Sequence, residues 1–220
     1  MKKNKKMMVV LGIVLTGALT VGVISSFAND SLTSQLNKIK VNTEINNQGE
    51  EEEVLVKVGS NKITNIEFLN YKEYNSVSPS KLTDSEILEH MIKEELFLQL
   101  AEKEGVSATL EEGRQEAQKN REILRDQPKD VQDTHKKFMD ASGVTEEEHW
   151  EKIAPPMYQD MLSKQNIADK ILKGEASSQK DTSVDDKDVV LNLKEFKQQL
   201  FEKSLSDGTV KVVANNISLD

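Results

Sequence analysis

Residues 83–106, TDSEILEHMIKEELFLQLAEKEGV, predict the buried helix around which the rest of the chain folds. Apolar side chains fill more than half of a helical wheel drawn at about 3.6 residues per turn. They are Ile87, Leu88, Met91, Ile92, Leu96, Leu98 and Leu100. Thr83 and Glu86 have the spacing of a capping box, and Gly105 after Lys103 is typical of a helix end. So wide an apolar arc favours a helix that is covered by neighbours on two sides.

The amino-acid composition favours a helical fold and excludes several kinds of functional site. The 220 residues are 36% hydrophobic, 30% charged and only 5% aromatic, a balance that favours a helical fold with an aliphatic core. The absence of cysteine excludes a thiol nucleophile, a disulfide framework, a thiolate zinc site and a lipid-modified cysteine. The net charge of −9 argues against nucleic acid or anionic lipid as the partner.

Residues 1–28 have the pattern of an export signal. Lysines near the N-terminus precede an uncharged apolar run, and Ser26 and Ala28 fit a cleavage site after Ala28. The alternative is an uncleaved anchor, because residues 7–28 carry no charge and are long enough to span a hydrocarbon core of about 30 Å. We therefore expect an extracytoplasmic protein, either anchored in the cell membrane with its N-terminus inside or secreted after cleavage.

The polar residues 29–53 predict a disordered tether ahead of the folded part. VLVKV at 54–58 and TVKVV at 209–213 each predict a strand. Because a lone strand needs a partner, we predict that these two strands pair with each other. The predicted fold class is mainly α, a helical bundle with a small two-stranded sheet that joins the N- and C-terminal segments.

This fold divides the chain into a helical domain, a linker and a returning segment. The helical domain covers residues 54–173, the polar linker covers 174–188, and residues 189–214 return as a helix and a strand that complete the domain. Thr-x-x-Glu capping pairs predict four helix starts, at Thr64, Thr83, Thr109 and Thr145. The pair formed by Asn192 and Glu195 predicts a fifth.

Two glycines and two prolines predict how these helices end or bend. Gly143 and Gly174 are expected to end helices, since glycine readily takes the left-handed conformation. The pair Pro155-Pro156 lies inside the long helix that starts at Thr145 and removes two amide donors. We expect a kink or a break there.

Catalytic signatures are weak. Ser-x-x-Lys occurs at Ser78 and Ser177, but the first lies in a loop and the second in the linker, where no burial lowers the pKa of the lysine. No spacing among His90, His135 and His149 places two on one helix face, and we expect His90 to be solvated. We predict no enzymatic activity, no metal site and no cofactor; an enzyme such as a Ser/Lys hydrolase is the least favoured interpretation.

Methionine and aromatic side chains around Pro155-Pro156 are candidates for peptide binding, because flexible thioethers beside aromatic rings form an adaptable apolar surface. The candidate residues are Met91, Phe138, Met139, Trp150, Met157, Tyr158 and Met161. The simpler interpretation is that they form core between the long helix and the helix of residues 83–106. The sequence leaves both open.

Over residues 54–172 the chain resembles the N-terminal chaperone domain of the SurA/PrsA family of extracytoplasmic folding factors. The matching stretches are VKVG at 56–59, ITNIEF at 63–68, DSEILEHMIKEEL at 84–96, AEKEGV at 101–106 and SGVTEEE at 142–148. Family members commonly carry a parvulin-type prolyl isomerase domain before the returning segment, but residues 175–188 are too few for a domain. The lipid-modified cysteine of the PrsA branch is also missing. The resemblance implies binding of polypeptides without isomerase activity.

We therefore expect an extracytoplasmic chaperone-like protein that holds unfolded or partly folded polypeptides. The expected site is an apolar cleft between the helix of residues 83–106 and the helix that contains Pro155. The alternative is a dedicated interaction or assembly factor with one specific partner at the cell envelope. The sequence does not fix the oligomeric state.

Overall fold

The computed structural model describes residues 51–75, 82–176, 186–214 and 219. The predicted signal or anchor, residues 1–28, lies outside them, and so does all of the tether except residues 51–53. Among the described residues, none of the helices combines the length and the apolar content needed to cross a bilayer.

The described chain is mainly helical with a small antiparallel sheet, which confirms the predicted fold class at this level. The strands are β1 (Val54–Val58), β2 (Asn61–Thr64) and β3 (Val210–Val212). The helices are α1 (Asn65–Asn75), α2 (Asp84–Lys103), α3 (Leu110–Arg125), α4 (Lys129–Ser142), α5 (Glu146–Glu148), α6 (Ala154–Ala176) and α7 (Asp186–Ser206), with a π-helical turn at His149–Ile153 between α5 and α6.

The sheet has the strand order β2-β1-β3. The predicted pairing of the first and last strands is confirmed, with Val56 opposite Val212 in an antiparallel register. The prediction of only two strands is wrong, because residues 61–64 form β2 instead of a turn. Gly59, with a φ of 56°, begins a two-residue turn that brings Asn61 opposite Val58.

Capping residues place most of the helix starts as predicted. At α2 the backbone N–H of Thr83 donates to Glu86 Oε2 at 2.7 Å, and the N–H of Glu86 donates back to Thr83 Oγ1 at 3.3 Å. The same reciprocal box is present at Thr109 and at Thr145. Thr64 is the last residue of β2, immediately before α1 begins. Each box satisfies amides that have no partner within the helix.

Two predicted helix boundaries are wrong. Helix α6 continues past Gly174 to Ala176, and α7 begins at Asp186, six positions before the predicted start at Asn192. The ends of the predicted linker are therefore helical. Its polar residues include good helix formers. Polarity alone did not distinguish an exposed helix from a linker.

Of the kink or break expected at Pro155-Pro156, a break is not observed, because the chain stays helical through the proline pair. The backbone N–H of Ala154 donates to the carbonyl of His149, five residues earlier, which is the π-helical spacing. The prolines follow this turn directly and donate no N–H, so the hydrogen bonding changes next to the place where the α-helical pattern cannot be completed.

The described residues form two compact units. The first contains residues 66–75 of α1 and all of Thr109–Gln159, so it includes α3, α4, α5 and the π-helical turn. The second contains Glu53–Asn65, Leu82–Ala108 and the described residues from position 160 onward, so it includes the sheet, α2 and α7.

Helix α2 supplies much of the core of the second unit. Its buried residues are Ile87, Leu88, Ile92, Leu96, Phe97 and Ala101. Phe97, Ala101 and Ile167 form one cluster, and Leu193, Phe196 and Leu200 of α7 contact it. The predicted arc of α2 was partly misplaced. Leu98 and Leu100 are only half-buried, whereas Phe97 and Ala101, which the arc left out, are fully buried.

In the first unit, α3 approaches the start of α6 so closely that only glycine fits at position 113. A Cβ on Gly113 would lie 2.2 Å from the backbone oxygen of Pro155 and 2.7 Å from the backbone nitrogen of Gln159. Neither atom can move aside in the way a flexible side chain can. This contact fixes how α3 and the first turns of α6 meet.

Gly113→Ala is expected to lower the free energy of unfolding of the first unit by about 1–3 kcal/mol, because the overpacking outweighs the higher helix propensity of alanine. Urea unfolding followed by the fluorescence of the single tryptophan measures this. Gly174→Ala is the matched control, since a Cβ there meets no atom within 4 Å, and it should be neutral or stabilising. Equal effects of the two substitutions would contradict the close contact at Gly113.

Candidate functional site

The seven predicted peptide-binding residues differ widely in exposure. Four lie in the interior of the first unit: Met139, Trp150, Met157 and Tyr158. Met91 and Phe138 are half-buried, and Met161 is 36% exposed. Met91 and Met161 belong to the second unit, and the other five belong to the first. The structure therefore presents only part of the set to solvent, and its role in peptide binding stays a prediction.

Trp150 and Tyr158 take part in the core of the first unit. They form a buried cluster with Ala154 and with Ala117 of α3, and Leu124 contacts it from the side. Burial raises the pKa of Tyr158 to about 12, with the nearby Glu116 carboxylate adding to the effect. The phenol is therefore neutral at physiological pH. In this conformation both aromatic side chains stabilise the unit by filling its interior.

Two of the three histidines meet in this unit. His135 of α4 and His149 of the π-helical turn are both buried, with ring centroids 5.3 Å apart. Trp150 stacks on His135 at 5.5 Å and meets His149 edge-on at 4.8 Å. His135 and His149 lie on different helical segments, so no spacing within one helix could have revealed that they meet. Tertiary folding brings them together. His90 is exposed, as predicted.

Burial keeps both of these imidazoles neutral. It lowers the pKa of His135, and it lowers the pKa of His149 to about 4, to which the neighbouring His135 contributes. A charged imidazole here would lose its hydration without gaining a tight anionic partner. The two rings consequently pack beside Trp150 as uncharged aromatic groups at neutral pH.

The second unit contains an ion cluster that the sequence did not reveal. Glu94 of α2 accepts hydrogen bonds from Lys164 Nζ at 2.8 Å and from Lys197 Nζ at 2.6 Å. Although burial by itself raises the pKa of Glu94, the two ammonium groups outweigh it and lower the pKa to about 2. One carboxylate thus links α2 to both α6 and α7.

The second unit also has an open groove of about 700 Å³ between α2, α6 and α7. Its apolar residues are Leu100, Ile167, Ile171 and Phe196, and its polar residues are Glu104, Lys170, Asn192, Glu195 and Gln199. Lys170 Nζ donates to Glu104 Oε2 at 2.7 Å, and Phe196 meets Phe97 edge-on at 6.5 Å. These residues come from three helices, so no single sequence motif marks the groove.

The structure does not test the Ser-x-x-Lys motifs. Both Ser-x-x-Lys motifs, at Ser78 and at Ser177, lie outside the described residues. Within the described part of the chain, no group of three His, Asp or Glu side chains is arranged to hold a metal ion.

The buried imidazoles predict an acid-sensitive first unit. Because both pKa values lie below the ordinary value of about 6.5, the free energy of unfolding should fall as the pH drops from about 6.5 to 4, by about 2–3 kcal/mol. Urea unfolding followed by Trp150 fluorescence between pH 7 and pH 4 measures this loss. His149→Gln should reduce it, because it removes the imidazole whose pKa lies furthest below the ordinary value. If the free energy of unfolding of His149→Gln and that of the unaltered chain depended on pH in the same way, the role of the buried imidazole in acid sensitivity would be contradicted.

Glu94 predicts that the free energy of unfolding of the second unit also decreases, at a lower pH. Its carboxylate stabilises the folded state fully above about pH 4.5, and this contribution is lost as the pH falls toward 2. At pH 7, Glu94→Gln should lower the free energy of unfolding by about 1–3 kcal/mol, allowing for partial exposure. Circular dichroism in urea measures it. Glu102→Gln, an exposed change on the same helix, should cost less than about 0.5 kcal/mol.

Comparisons with protein-family models, with curated proteins and with solved structures find no match to this chain. The expected likeness to the SurA/PrsA chaperone domain stays a prediction made from the residues. The groove and its physical properties provide the starting point for assigning a function.

Proposed function

We propose that this chain is an extracytoplasmic chaperone-like protein that binds unfolded or partly folded polypeptides and performs no isomerase chemistry. The observation that carries the proposal is the groove between α2, α6 and α7 in the second unit. It combines an apolar lining with several polar side chains. That combination suits a ligand with alternating apolar side chains and backbone amides.

The groove has room for a short extended segment. Its volume of about 700 Å³ lies within the ordinary range of ligand sites. Side chains of a client would contact Leu100, Ile171 and Phe196, which offer dispersion contacts without demanding one particular shape. The amides of Asn192 and Gln199 both donate and accept hydrogen bonds, as a peptide backbone requires. Such contacts favour broad client selection.

Charge and the N-terminal pattern support the same function. The net charge of −9 keeps the chain soluble and favours clients that are neutral or basic. The basic and then apolar pattern of residues 1–28 favours delivery outside the cytoplasm, with or without a membrane anchor. The resemblance of residues 54–172 to the SurA/PrsA chaperone domain agrees with holding polypeptides. The proposed site is the groove, which none of the seven predicted peptide-binding residues lines.

Filling the groove should weaken client binding. Gln199→Trp places a large ring at the exposed wall of the groove and should raise the Kd for an unfolded client about tenfold, equivalent to about 1.4 kcal/mol. Gln118→Trp is the matched control, since Gln118 is an exposed helical glutamine of the first unit, and it should change the Kd less than twofold. Fluorescence anisotropy with a labelled, reduced and unfolded protein measures both.

A photo-crosslinking amino acid at position 199 identifies the bound species directly. Crosslinks to many unfolded clients, absent when the crosslinker is at position 118, are expected for a chaperone. Stoichiometric crosslinking to one folded partner would favour the dedicated assembly factor instead. No crosslinks at position 199, together with no delay of client aggregation, would refute peptide holding in this groove.

A further inference from the structure

A second cavity, in the first unit, is not used by the proposed function. It has a volume of about 520 Å³ and lies between α3, α4 and the residues that lead into α5. Its lining includes Arg121, Leu124, His135, Met139, Val144 and Thr145. Of the predicted peptide-binding residues only Met139 lines it. The cavity is therefore a different site from the groove of the second unit.

Buried nitrogen atoms on this lining have no hydrogen-bonding partner among the described residues. His135 is only 5% exposed, and its Nε2 is one of these atoms. The Nε of Arg121 is another. A buried polar nitrogen without a partner has lost its hydration and gained no hydrogen bond in return, so a ligand that pairs with these nitrogens would be bound favourably.

Arg121 forms ion pairs with two carboxylates but makes no tight hydrogen bond to either of them. Its side chain is only 20% exposed, yet its guanidinium nitrogens lie 3.5 Å from Glu146 Oε1 and 3.8 Å from Glu151 Oε1. Charge-assisted hydrogen bonds are about 2.7–2.9 Å long, so these contacts leave the guanidinium fork without a tight bidentate acceptor. By contrast, Lys136, which also lines the cavity, is paired with Asp140 at 2.7 Å.

The charged residues that line the cavity are balanced in sign. Arg121, Arg125 and Lys136 line it together with Asp133, Asp140 and Glu146, so a doubly charged phosphate would be repelled more strongly than a carboxylate. Guanidinium geometry matches the two coplanar oxygens of a carboxylate. The neutral imidazole of His135 has one N–H, which can donate to the same group. The apolar side chains of Leu124, Met139 and Val144 suit an aliphatic substituent.

We propose that this cavity binds the carboxylate of a small aliphatic acid or of a peptide C-terminus, with Arg121 and His135 as the residues that hold it. In this site the guanidinium of Arg121 engages both carboxylate oxygens, and His135 Nε2–H donates to one of them. The aliphatic part lies against the apolar lining. The site stands apart from the peptide groove, so either can be refuted without the other.

The experiment uses N-acetyl-leucine, its amide, a Gly-Gly-Leu peptide and inorganic phosphate, titrated into the full chain at pH 7 and followed by calorimetry and by Trp150 fluorescence. N-acetyl-leucine or the peptide is expected to bind at least about tenfold more tightly than the amide and than phosphate. If N-acetyl-leucine binds more tightly, the ligand is a small free acid, and if Gly-Gly-Leu binds more tightly, the ligand is a peptide C-terminus. Equal binding of the acid and the amide, or tighter binding of phosphate, would overturn the proposal.

Two arginines of α3 provide the matched variants. Arg121→Gln should weaken binding of the acid at least about tenfold, and Arg121→Lys should restore only part of it, because lysine keeps the charge without the fork. Arg114→Gln is the control, since Arg114 is half-exposed and does not line the cavity. Unchanged Trp150 fluorescence verifies that each variant is folded. Equal effects of Arg121→Gln and Arg114→Gln would mean that the cavity holds only solvent.

Discussion

The antiparallel pairing of β1 with β3 is the constraint on which the second unit depends. It joins segments from opposite ends of the described chain, with Val56 and Val58 of β1 fully buried. Pairing at this separation closes a long loop, so its entropic cost has to be offset by burial elsewhere. The apolar contacts of α2 with α6 and α7 supply that burial, and Glu94 adds charged hydrogen bonds to the same two helices. The groove lies among these helices.

The first unit is held together by a different constraint. Gly113 allows α3 to approach the backbone at the start of α6, and the cluster of Trp150, Ala154 and Tyr158 fills the space around that contact. Polar groups are also buried here. His135 and His149 stay neutral beside Trp150, because an imidazolium would lose its hydration in this interior. The same burial leaves Arg121 Nε and His135 Nε2 without a hydrogen-bonding partner on the wall of a cavity.

The two units suggest a division of labour within the proposed function. The groove of the second unit offers an apolar lining of low specificity, which suits extended clients of varied sequence. The cavity of the first unit offers a few buried donors, which suit one chemical group. Buried polar groups discriminate more sharply than apolar surface, because a ligand that fails to pair with them leaves them desolvated. Binding of varied polypeptides and selective binding of one chemical group would then take place in separate parts of one chain.

Local sequence patterns were enough to predict the mainly helical class, the starts of α2, α3 and α5, the end of α4 at Gly143 and one of the two partners of β1, namely β3. These features depend on residues a few positions apart or on the need of a lone strand for a partner, and both are visible in one sequence. Only the tertiary structure decided that Trp150 and Tyr158 are interior, that His135 meets His149, and which side chains line the groove and the cavity. Periodicity shows that a helix has an apolar face, but not which other face covers it, and a buried site is made where such faces meet.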